Sequence, residues 1–433
     1  MDTSKANGRR KVNKEDFKDY ICVICSTQNQ MVNYIPIKEF GFGKIYTLTI
    51  EDSPYFMNKR WDDNLESVFR DKVIERVAFK QTSLSSLENM KKDISDKILS
   101  KNEGKNIFWN VTGGQRPFLM AMNSIASNRE HDCICYIEGN KSKMFLNIVN
   151  SDKSYEFFEH PVKIDLDIET ALYLSGFENY KKEKSHHNIL KDEDSELSKL
   201  YENYRQMFKL LQDRKTSLEY RKLLLRTNIT EQKDLDLSKN ENWQKEIIAN
   251  GYKCNSQAPM GTILEQFSAV MMKNLINEKF QEVVCDMALN YKINYSDKEL
   301  KDSSVVDELD IILLTRNGKF IVFECKSGHM DKECGKSHKY TTYSVSGVFG
   351  TPILISPLFS DEIERNEWYL KQYFGDSAEK VKEEIGERKK ALESEDKNLF
   401  QKLYQTAGYA KRANLEVWGI DEIESKLNDL LKI

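Results

Sequence analysis

The 433-residue sequence has no apolar segment long enough to cross a membrane. A transmembrane helix needs about 20 consecutive, mainly apolar residues, and no stretch approaches that length. The polar N-terminal segment MDTSKANGRRKVNKEDFKD also lacks the apolar region of a signal peptide. We therefore expect no membrane association, and we interpret residues 1–19 as a disordered tail.

Neither sign of charge dominates, because 65 basic side chains stand against 69 acidic ones and the formal net charge is only -4. This balance neither supports nor excludes a nucleic-acid partner, since binding needs only a local basic strip. The eight cysteines include two close pairs, Cys22 with Cys25 and Cys133 with Cys135, inside apolar, strand-like runs. A zinc site would need turn residues between its ligands, so we favour small buried hydrophobic side chains. No disulfide framework is evident, which favours a reducing cytoplasm.

The chain has room for two domains and a connector, at roughly 100–200 residues per domain. Residues 20–175 alternate short apolar runs with amphipathic segments, which predicts a mainly parallel sheet with helices on its faces. The predicted strands are Tyr20–Ser26, Lys44–Ile50, Asn106–Val111, Cys133–Glu138 and Met144–Val149. The predicted helices are Asp62–Phe79, Ser85–Leu99 and Gln115–Ser127.

Residues 176–242 are highly charged and poor in glycine and proline, which indicates a helical connector. A second α/β domain is predicted over residues 243–433. Its expected order is a helix, three strands, a helix, a strand, charged helices, a last short strand and a C-terminal helix. The pattern shows no internal repeat.

Two apolar runs flank Asn317-Gly318 in the segment DELDIILLTRNGKFIVFECKSG, and this pattern predicts a β-hairpin. With a two-residue loop, Asp310 would pair with Cys325 and face away from Glu324. With a three-residue loop ending in a left-handed glycine, Asp310 would lie directly opposite Glu324. We predict the second register.

In that register Asp310, Glu324 and Lys326 project from one face of the hairpin, because side chains repeat every two residues. Both faces are otherwise apolar, as in a strand pair buried on both sides. Charged groups are costly there unless they are paired or bind a metal. Two converging carboxylates suit a hard divalent cation, and a lysine offsets charge on a phosphate. The ordinary alternative is a pair of solvated strand ends with Lys326 paired to Glu324.

The segment NVTGGQRPF follows a predicted strand and opens a predicted helix. A glycine turn lets backbone approach a ligand, and free amides at a helix start attract anions. The first strand also ends in polar residues. In a parallel sheet both junctions would lie at the carboxyl ends of strands, where such sheets bind ligands; a plain turn is the alternative. The candidate ligand-binding residues are Thr27, Gln28, Asn29, Gln30, Thr112, Gly113, Gly114, Gln115 and Arg116.

The hairpin resembles the PD-(D/E)xK nuclease superfamily, with Asp310, Glu324 and Lys326 on the signature positions and Leu309 in place of the usual proline. That superfamily has an acidic residue on the preceding helix, which matches Glu265. The resemblance implies catalytic roles for all four charged residues. It also implies Mg²⁺ or Mn²⁺ held by Asp310, Glu324 and Glu265.

Further candidates surround the hairpin. Glu308 shares the face of Asp310 if the strand is regular. Lys336, Lys339, Tyr340 and Tyr343 on the next helix are candidate phosphate contacts, for which an exposed basic helix face is the ordinary alternative. Ser327, Gly328 and His329 form the exit loop after the site, and of these His329 is a candidate substrate contact, with a loop histidine of no catalytic role as the alternative.

The N-terminal layout resembles a CARF domain, the cyclic-oligoadenylate sensor of type III CRISPR ancillary proteins. Such sensors often follow the glycine turn with threonine and lysine, where this chain has Gln115 and Arg116. Nearly the whole chain is similar to a family of CARF effector nucleases. The resemblance implies a Rossmann-like CARF domain, a helical connector and a restriction-endonuclease-like α/β domain. It further implies a homodimer that binds a cyclic oligoadenylate, with cyclic tetraadenylate favoured, and cleaves DNA, RNA or both.

Three other functions stay open. The chain would be a restriction- or repair-type nuclease if no cyclic oligoadenylate gates it. It would be a non-catalytic, nucleotide-responsive regulator if the nuclease site had decayed, which the complete acidic and lysine set argues against. An activator-degrading enzyme ranks lower, since residues 112–116 hold no convincing general base. A HEPN ribonuclease is excluded because no arginine precedes the last histidine, His338, at the required spacing.

Overall fold

The computed structural model describes residues 12–51, 58–138, 142–180, 189–190, 260–296, 305–326, 332–346, 350–361, 363 and 405–432. These residues form two β-sheets with helices packed on them, which confirms the predicted α/β class. Most of the predicted connector, 176–242, lies outside the described residues. None of the described helices is both long and apolar enough to span a membrane.

The N-terminal sheet has seven strands in the order β3-β2-β1-β4-β5-β6-β7. Its first five strands pair in parallel, and β6 and β7 add antiparallel to one edge. The strands are Ile21–Cys25 (β1), Lys44–Ile50 (β2), Val73–Phe79 (β3), Ile107–Asn110 (β4), Cys133–Glu138 (β5), Lys143–Val149 (β6) and Tyr155–Pro161 (β7). The helices are Met31–Phe40 (α1), Asn58–Val68 (α2), Leu87–Ile94 (α3), Arg116–Ala126 (α4) and Ile168–Leu174 (α5).

The predicted helix Asp62–Phe79 is wrong in its second half. The chain is helical only to Val68, and Val73–Phe79 forms edge strand β3, parallel to β2. Short apolar runs do not distinguish a helix from a strand by spacing alone. Here pairing with β2 decides, because it satisfies the backbone and buries Val77 and Phe79.

The predicted disordered tail is wrong for its last residues. Lys14–Phe17 forms a 3-10 turn with a capping box at Asn13. This turn inserts Phe17 fully into the core, where its ring lies 4.8 Å from that of Phe40 and 5.2 Å from that of Phe108. A single aromatic residue in a polar segment gave no periodicity from which to predict this anchor.

The second sheet has six strands in the order β13-β12-β11-β10-β9-β8. Neighbours from β8 to β11 are antiparallel, and those from β11 to β13 are parallel. The strands are Phe177–Asn179 (β8), Val284–Tyr295 (β9), Asp307–Thr315 (β10), Phe320–Cys325 (β11), Thr351–Ser356 (β12) and Glu416–Gly419 (β13). The helices are Met260–Leu275 (α6), Lys332–Ser346 (α7) and Ile423–Leu431 (α8). Strand β8 lies at the start of the predicted connector, so this part of the connector belongs to the second sheet.

The two sheets share one buried core. Side chains of α1 and α5 from the N-terminal half belong to the same apolar cluster as one face of β10 and β11. Arg316, in the hairpin turn, accepts a 3.0 Å hydrogen bond at its carbonyl from the amide of Ile164. The hairpin turn therefore contacts the N-terminal domain directly.

The structure confirms the predicted hairpin register. Ile312 pairs with Val322 and Leu314 with Phe320, and the same register sets Asp310 opposite Glu324. The residues between these strand ends and the turn are almost fully buried on both faces, as predicted for the centre of a sheet.

Gly318 closes the turn. Its φ of 80° lies in the left-handed region, which residues with a Cβ adopt at a cost. Its amide donates a 2.8 Å hydrogen bond to the carbonyl of Thr315. A Cβ at this position would lie 2.7 Å from the Cε of Met31 and 3.3 Å from the Cδ1 of Ile35, both in α1.

Gly318→Ala is expected to lower the free energy of unfolding by about 1–2 kcal/mol from backbone strain alone, with a further loss from the contact with Met31. Chemical denaturation of the whole chain measures this. The control is Gly43→Ala, because Gly43 has nothing within 4 Å of an added Cβ. Equal stability of the two variants would contradict the proposed packing of the turn.

Candidate functional site

Three charged side chains meet where β10 and β11 leave the buried part of the second sheet. Glu324 pairs through Oε1 with the Nζ of Lys326. Asp310 Oδ2 accepts a 2.7 Å hydrogen bond from the backbone amide of Cys325. Asp310 is 8% exposed, and the side chains of Glu324 and Lys326 are 14% and 34% exposed. The predicted cluster therefore forms at a place that is partly shielded from solvent.

The electrostatics of this cluster follow from burial and mutual charge. Burial, and then the charge of Glu324, raise the pKa of Asp310 well above its usual range. Burial by itself lowers the pKa of Lys326, but Glu324 and Asp310 outweigh it and the net shift is upward. Lys326 is therefore held as a cation beside two crowded carboxyl groups.

Glu265, on α6, contributes negative charge to the same place. Burial raises its pKa, and Lys326, Glu308 and Glu324 act on it electrostatically. Its charge in turn raises the pKa of Asp310. The structure thus places all four sequence-predicted charged residues within electrostatic reach of one another.

Among the described residues, no three His, Cys, Asp or Glu side chains are grouped to hold a metal ion. The donor set nonetheless fits one, because carboxylate oxygens at a partly buried site are the ligands that Mg²⁺ and Mn²⁺ prefer. Metal ligation by Asp310, Glu324 and Glu265 stays a prediction.

Helix α7 adds two contacts that the sequence analysis missed. His338 is 5% exposed, and its Nδ1 lies 3.4 Å from Oε2 of Glu324. Thr341, one turn further along, donates a hydrogen bond to the carboxylate of Asp307. His338 and Thr341 are three residues apart, which places them on one face of a helix. Nothing in the sequence indicated that this face would meet β10 and β11.

The other predicted substrate contacts lie on the outer side of α7. Lys336 is exposed and pairs with Glu333 at 3.1 Å, and Lys339 Nζ lies 5.6 Å from the ring centre of Tyr343. Tyr340 is also exposed. Ser327, Gly328 and His329 lie outside the described residues.

The two polar junctions of the N-terminal sheet lie at the carboxyl ends of parallel strands, as predicted, and the structure places them side by side. Strands β1 and β4 are parallel neighbours, and the chain moves outward from β1 on one side and from β4 on the other. Open α/β sheets bind ligands at such a switch point. A Cβ on Gly113 would lie 3.4 Å from Cγ2 of Thr27, so the two turns are in contact distance.

Gly114 lets the second turn approach β1. Its φ is 120°, and an added Cβ would lie 2.2 Å from Cβ of Cys25. Cys22, Cys25, Cys133 and Cys135 are free and buried, which confirms the expectation of small apolar side chains.

A chain of buried hydrogen bonds supports these turns from beneath. The hydroxyl of Thr112 donates to Oδ1 of Asn110 (2.6 Å), whose Nδ2 donates to Oδ1 of Asn33 (3.0 Å). Asn33 Nδ2 donates to Oε1 of Gln30 (2.8 Å), and Gln30 Nε2 donates to Oδ1 of Asp62 (3.1 Å). Gln30 therefore faces the interior.

The remaining candidates lie at the surface of the turns. Gln28 and Arg116 are exposed, whereas Thr27, Asn29 and Gln115 are partly exposed. Together with the free amides at the start of α4, they form a polar rim above the buried network.

Asp62 was not identified from the sequence. It is 1% exposed, and burial raises its pKa to about 7, although hydrogen bonds from Ser26 and Gln30 and the charge of Arg76 act in the opposite direction. A buried carboxyl beneath a candidate ligand site is visible only once α2, β1 and β3 are assembled.

No protein-family model matches the sequence, and no curated protein matches it in sequence. Two solved structures have a similar fold over nearly the whole chain. Protein VC1899 from Vibrio cholerae aligns with a TM-score of 0.63 and 15% identity, covering 95% of this chain and 97% of the other. Can2 from Sulfobacillus thermosulfidooxidans, in complex with cyclic tetra-adenylate, aligns with a TM-score of 0.60 and 14% identity, covering 97% and 99%. At these identities the likeness concerns the fold alone.

Asp62→Asn is expected to remove a pH-dependent loss of stability. The pKa of Asp62 is raised from about 3.9 in the unfolded chain to about 7 in the folded protein. Its favourable contribution is therefore fully present below pH 4 and is lost as the pH rises through 7, by at most about 1.4 kcal/mol per pH unit.

Melting temperatures of the variant and the wild type should diverge in favour of the variant between about pH 4 and pH 7 and differ by a constant amount above that range. Asp71→Asn is the control, because the side chain of Asp71 is 80% exposed. A constant difference between Asp62→Asn and the wild type across this window would contradict the titration.

Proposed function

We propose that the chain is a metal-dependent nuclease that a cyclic oligoadenylate activates, acting in type III CRISPR defence. The observation that carries the proposal is the position of Asp310 directly opposite Glu324, with Lys326 on the same face. Charged residues are rare in the centre of a sheet, and clusters with raised pKa values are typical of active sites.

Asp310, Glu324 and Glu265 would hold Mg²⁺ or Mn²⁺ through their carboxylate oxygens. When bound, the ion would polarise the scissile phosphate and activate a water molecule. Lys326 keeps its proton beside the carboxylates, so it would offset negative charge as the phosphodiester is cleaved. Lys339, Tyr340 and Tyr343, at the surface of α7, would contact the phosphates of DNA, RNA or both.

The cyclic oligoadenylate would bind at the polar rim above β1 and β4. Backbone amides at the start of α4, with Arg116, suit the phosphate groups of such a ligand. The similar fold of Can2, whose structure is described with cyclic tetra-adenylate, supports this ligand class and favours the tetra-adenylate ring.

Contacts between the candidate ligand turns and the nuclease site support activation by the ligand. Asn29 Nδ2 donates a 3.2 Å hydrogen bond to the carbonyl of Ser346, at the end of α7. The same helix carries His338, which contacts Glu324. A small cavity between the halves is lined by Asn29, Thr112, Asn317, Gly318 and Ser346. A ligand that shifts the turns would therefore act on both α7 and the hairpin.

A homodimer is part of the proposal. Met120, one turn from Arg116 on α4, is 60% exposed, and Tyr136 and Phe157 are exposed on β5 and β7. Exposed apolar side chains on α4 and on this edge of the sheet suit pairing of two copies. Analytical ultracentrifugation with and without the ligand measures it.

Glu324→Gln is expected to reduce cleavage of plasmid DNA and single-stranded RNA by more than roughly 100-fold, because loss of a direct ligand should cost more than the 10–100-fold that is typical of an outer-shell partner. The assay contains Mn²⁺ and cyclic tetraadenylate. Glu278→Gln is the control, because Glu278 is exposed and distant in sequence from the hairpin. Wild-type activity in Glu324→Gln would remove the active-site assignment, and activity in EDTA would remove the metal.

Arg116→Ala is expected to raise the activator concentration needed for half-maximal cleavage by about 10-fold, the effect of losing a charged hydrogen bond of 1.4 kcal/mol or more. Titration of cyclic tetraadenylate during plasmid nicking measures this. Arg70→Ala is the control, since Arg70 is exposed on the same domain away from the turns.

Cleavage that is equally fast without any cyclic oligoadenylate would contradict gating. That result would favour a restriction- or repair-type nuclease with the same active site. Ligand binding without cleavage of either nucleic acid would favour a nucleotide-responsive regulator.

A further inference from the structure

Glu324 has two described ion pairs, one with Lys326 and one with His338. Of these two partners, only His338 comes from outside the hairpin. The two oxygens of Glu324 are engaged separately. Oε1 meets Lys326, and Oε2 lies 3.4 Å from Nδ1 of His338. The carboxylate is therefore held from two sides, by its own strand and by α7.

His338 is buried at its position in α7. It is 5% exposed, and its backbone carbonyl accepts a 2.9 Å hydrogen bond from the hydroxyl of Thr342. Nδ1 is the ring nitrogen that faces Glu324, and an imidazole that carries a proton there is a hydrogen-bond donor to the carboxylate.

Helix α7 is fastened to both strands of the hairpin. Thr341 donates to the carboxylate of Asp307, on β10. Ser346 Oγ accepts a 3.0 Å hydrogen bond from the amide of Phe320, on β11. These contacts leave the imidazole little freedom to move relative to Glu324.

We propose that His338 is a positioning residue, which fixes the orientation of the Glu324 carboxylate so that it binds the divalent cation. This inference rests on the proposed function, because it assigns a partner to a ligand of the same site. The terminal torsion of a glutamate is broad, so one ion pair with a flexible lysine does not set it. Outer-shell partners of metal ligands are typically worth 10–100-fold in metal affinity or activity.

Two substitutions separate positioning from packing. His338→Leu keeps much of the buried volume and removes the donor. His338→Asn loses volume but keeps an N–H donor on the atom bonded to Cγ, as in Nδ1 of histidine. A packing role predicts that Leu is the better replacement, whereas a positioning role predicts that Asn is.

Mn²⁺ binding to the full-length protein without nucleic acid, measured by calorimetry, is the first readout. His338→Leu should weaken it by about 10–100-fold, and His338→Asn should keep most of the affinity. With saturating Mn²⁺ and activator, cleavage kinetics should show a lower kcat for Leu at an unchanged KM for nucleic acid.

Wild-type Mn²⁺ affinity in His338→Leu would overturn the inference, and so would a larger loss in Asn than in Leu. Failure of the proposed function has a different signature: wild-type protein that neither binds Mn²⁺ nor cleaves nucleic acid overturns both. Cleavage by the wild type together with equal affinities in all three proteins overturns the role of His338 alone.

Discussion

Backbone pairing between β10 and β11 decides where the charged side chains of the candidate active site point. A slip by one residue would turn Asp310 to the opposite face from Glu324. The register depends on the turn, where Gly318 takes a left-handed conformation against α1. The geometry of the site therefore depends on Gly318, which lies six residues from Glu324, the nearest of the carboxylates in sequence. The positive charge of Lys326 then stabilises the site, since two neighbouring carboxyl groups shielded from water need a cation beside them.

The same hairpin joins the two halves of the chain. Its turn packs on α1, and its open end carries the carboxylates, about 20 Å away at 3.3 Å per residue. Helix α7 is a second connection between the same two places. Its residue Ser346 contacts Asn29, and its residue His338 contacts Glu324. Antiparallel strands buried on both faces do not bend easily. The ligand proposed to bind at the switch point would therefore have two stiff elements through which to alter the geometry of Glu324.

Features that depend on a few neighbouring residues could be predicted from the sequence. The Asn-Gly turn, the acidic residue and the ExK sequence were enough to choose the register, and the glycine turn after β4 marked the switch point. Contacts made only in the assembled protein were not predictable. Phe17 is an isolated aromatic residue, β3 is a strand because β2 lies beside it, and His338 matters because α7 turns it toward Glu324. Asp62 belongs to the same class, since three separate elements bury it.

The two halves bury different polar groups, and the difference matches their proposed roles. Beneath the ligand turns lies a chain of neutral amides, Asn110, Asn33 and Gln30, that ends at Asp62. Neutral amides hold backbone in place at a modest electrostatic cost, which suits a site that must recognise a phosphate-bearing ligand without repelling it. The hairpin instead concentrates carboxyl groups around one lysine. That arrangement is costly unless a cation shares the charge, which suits the proposed metal-dependent cleavage of phosphodiesters.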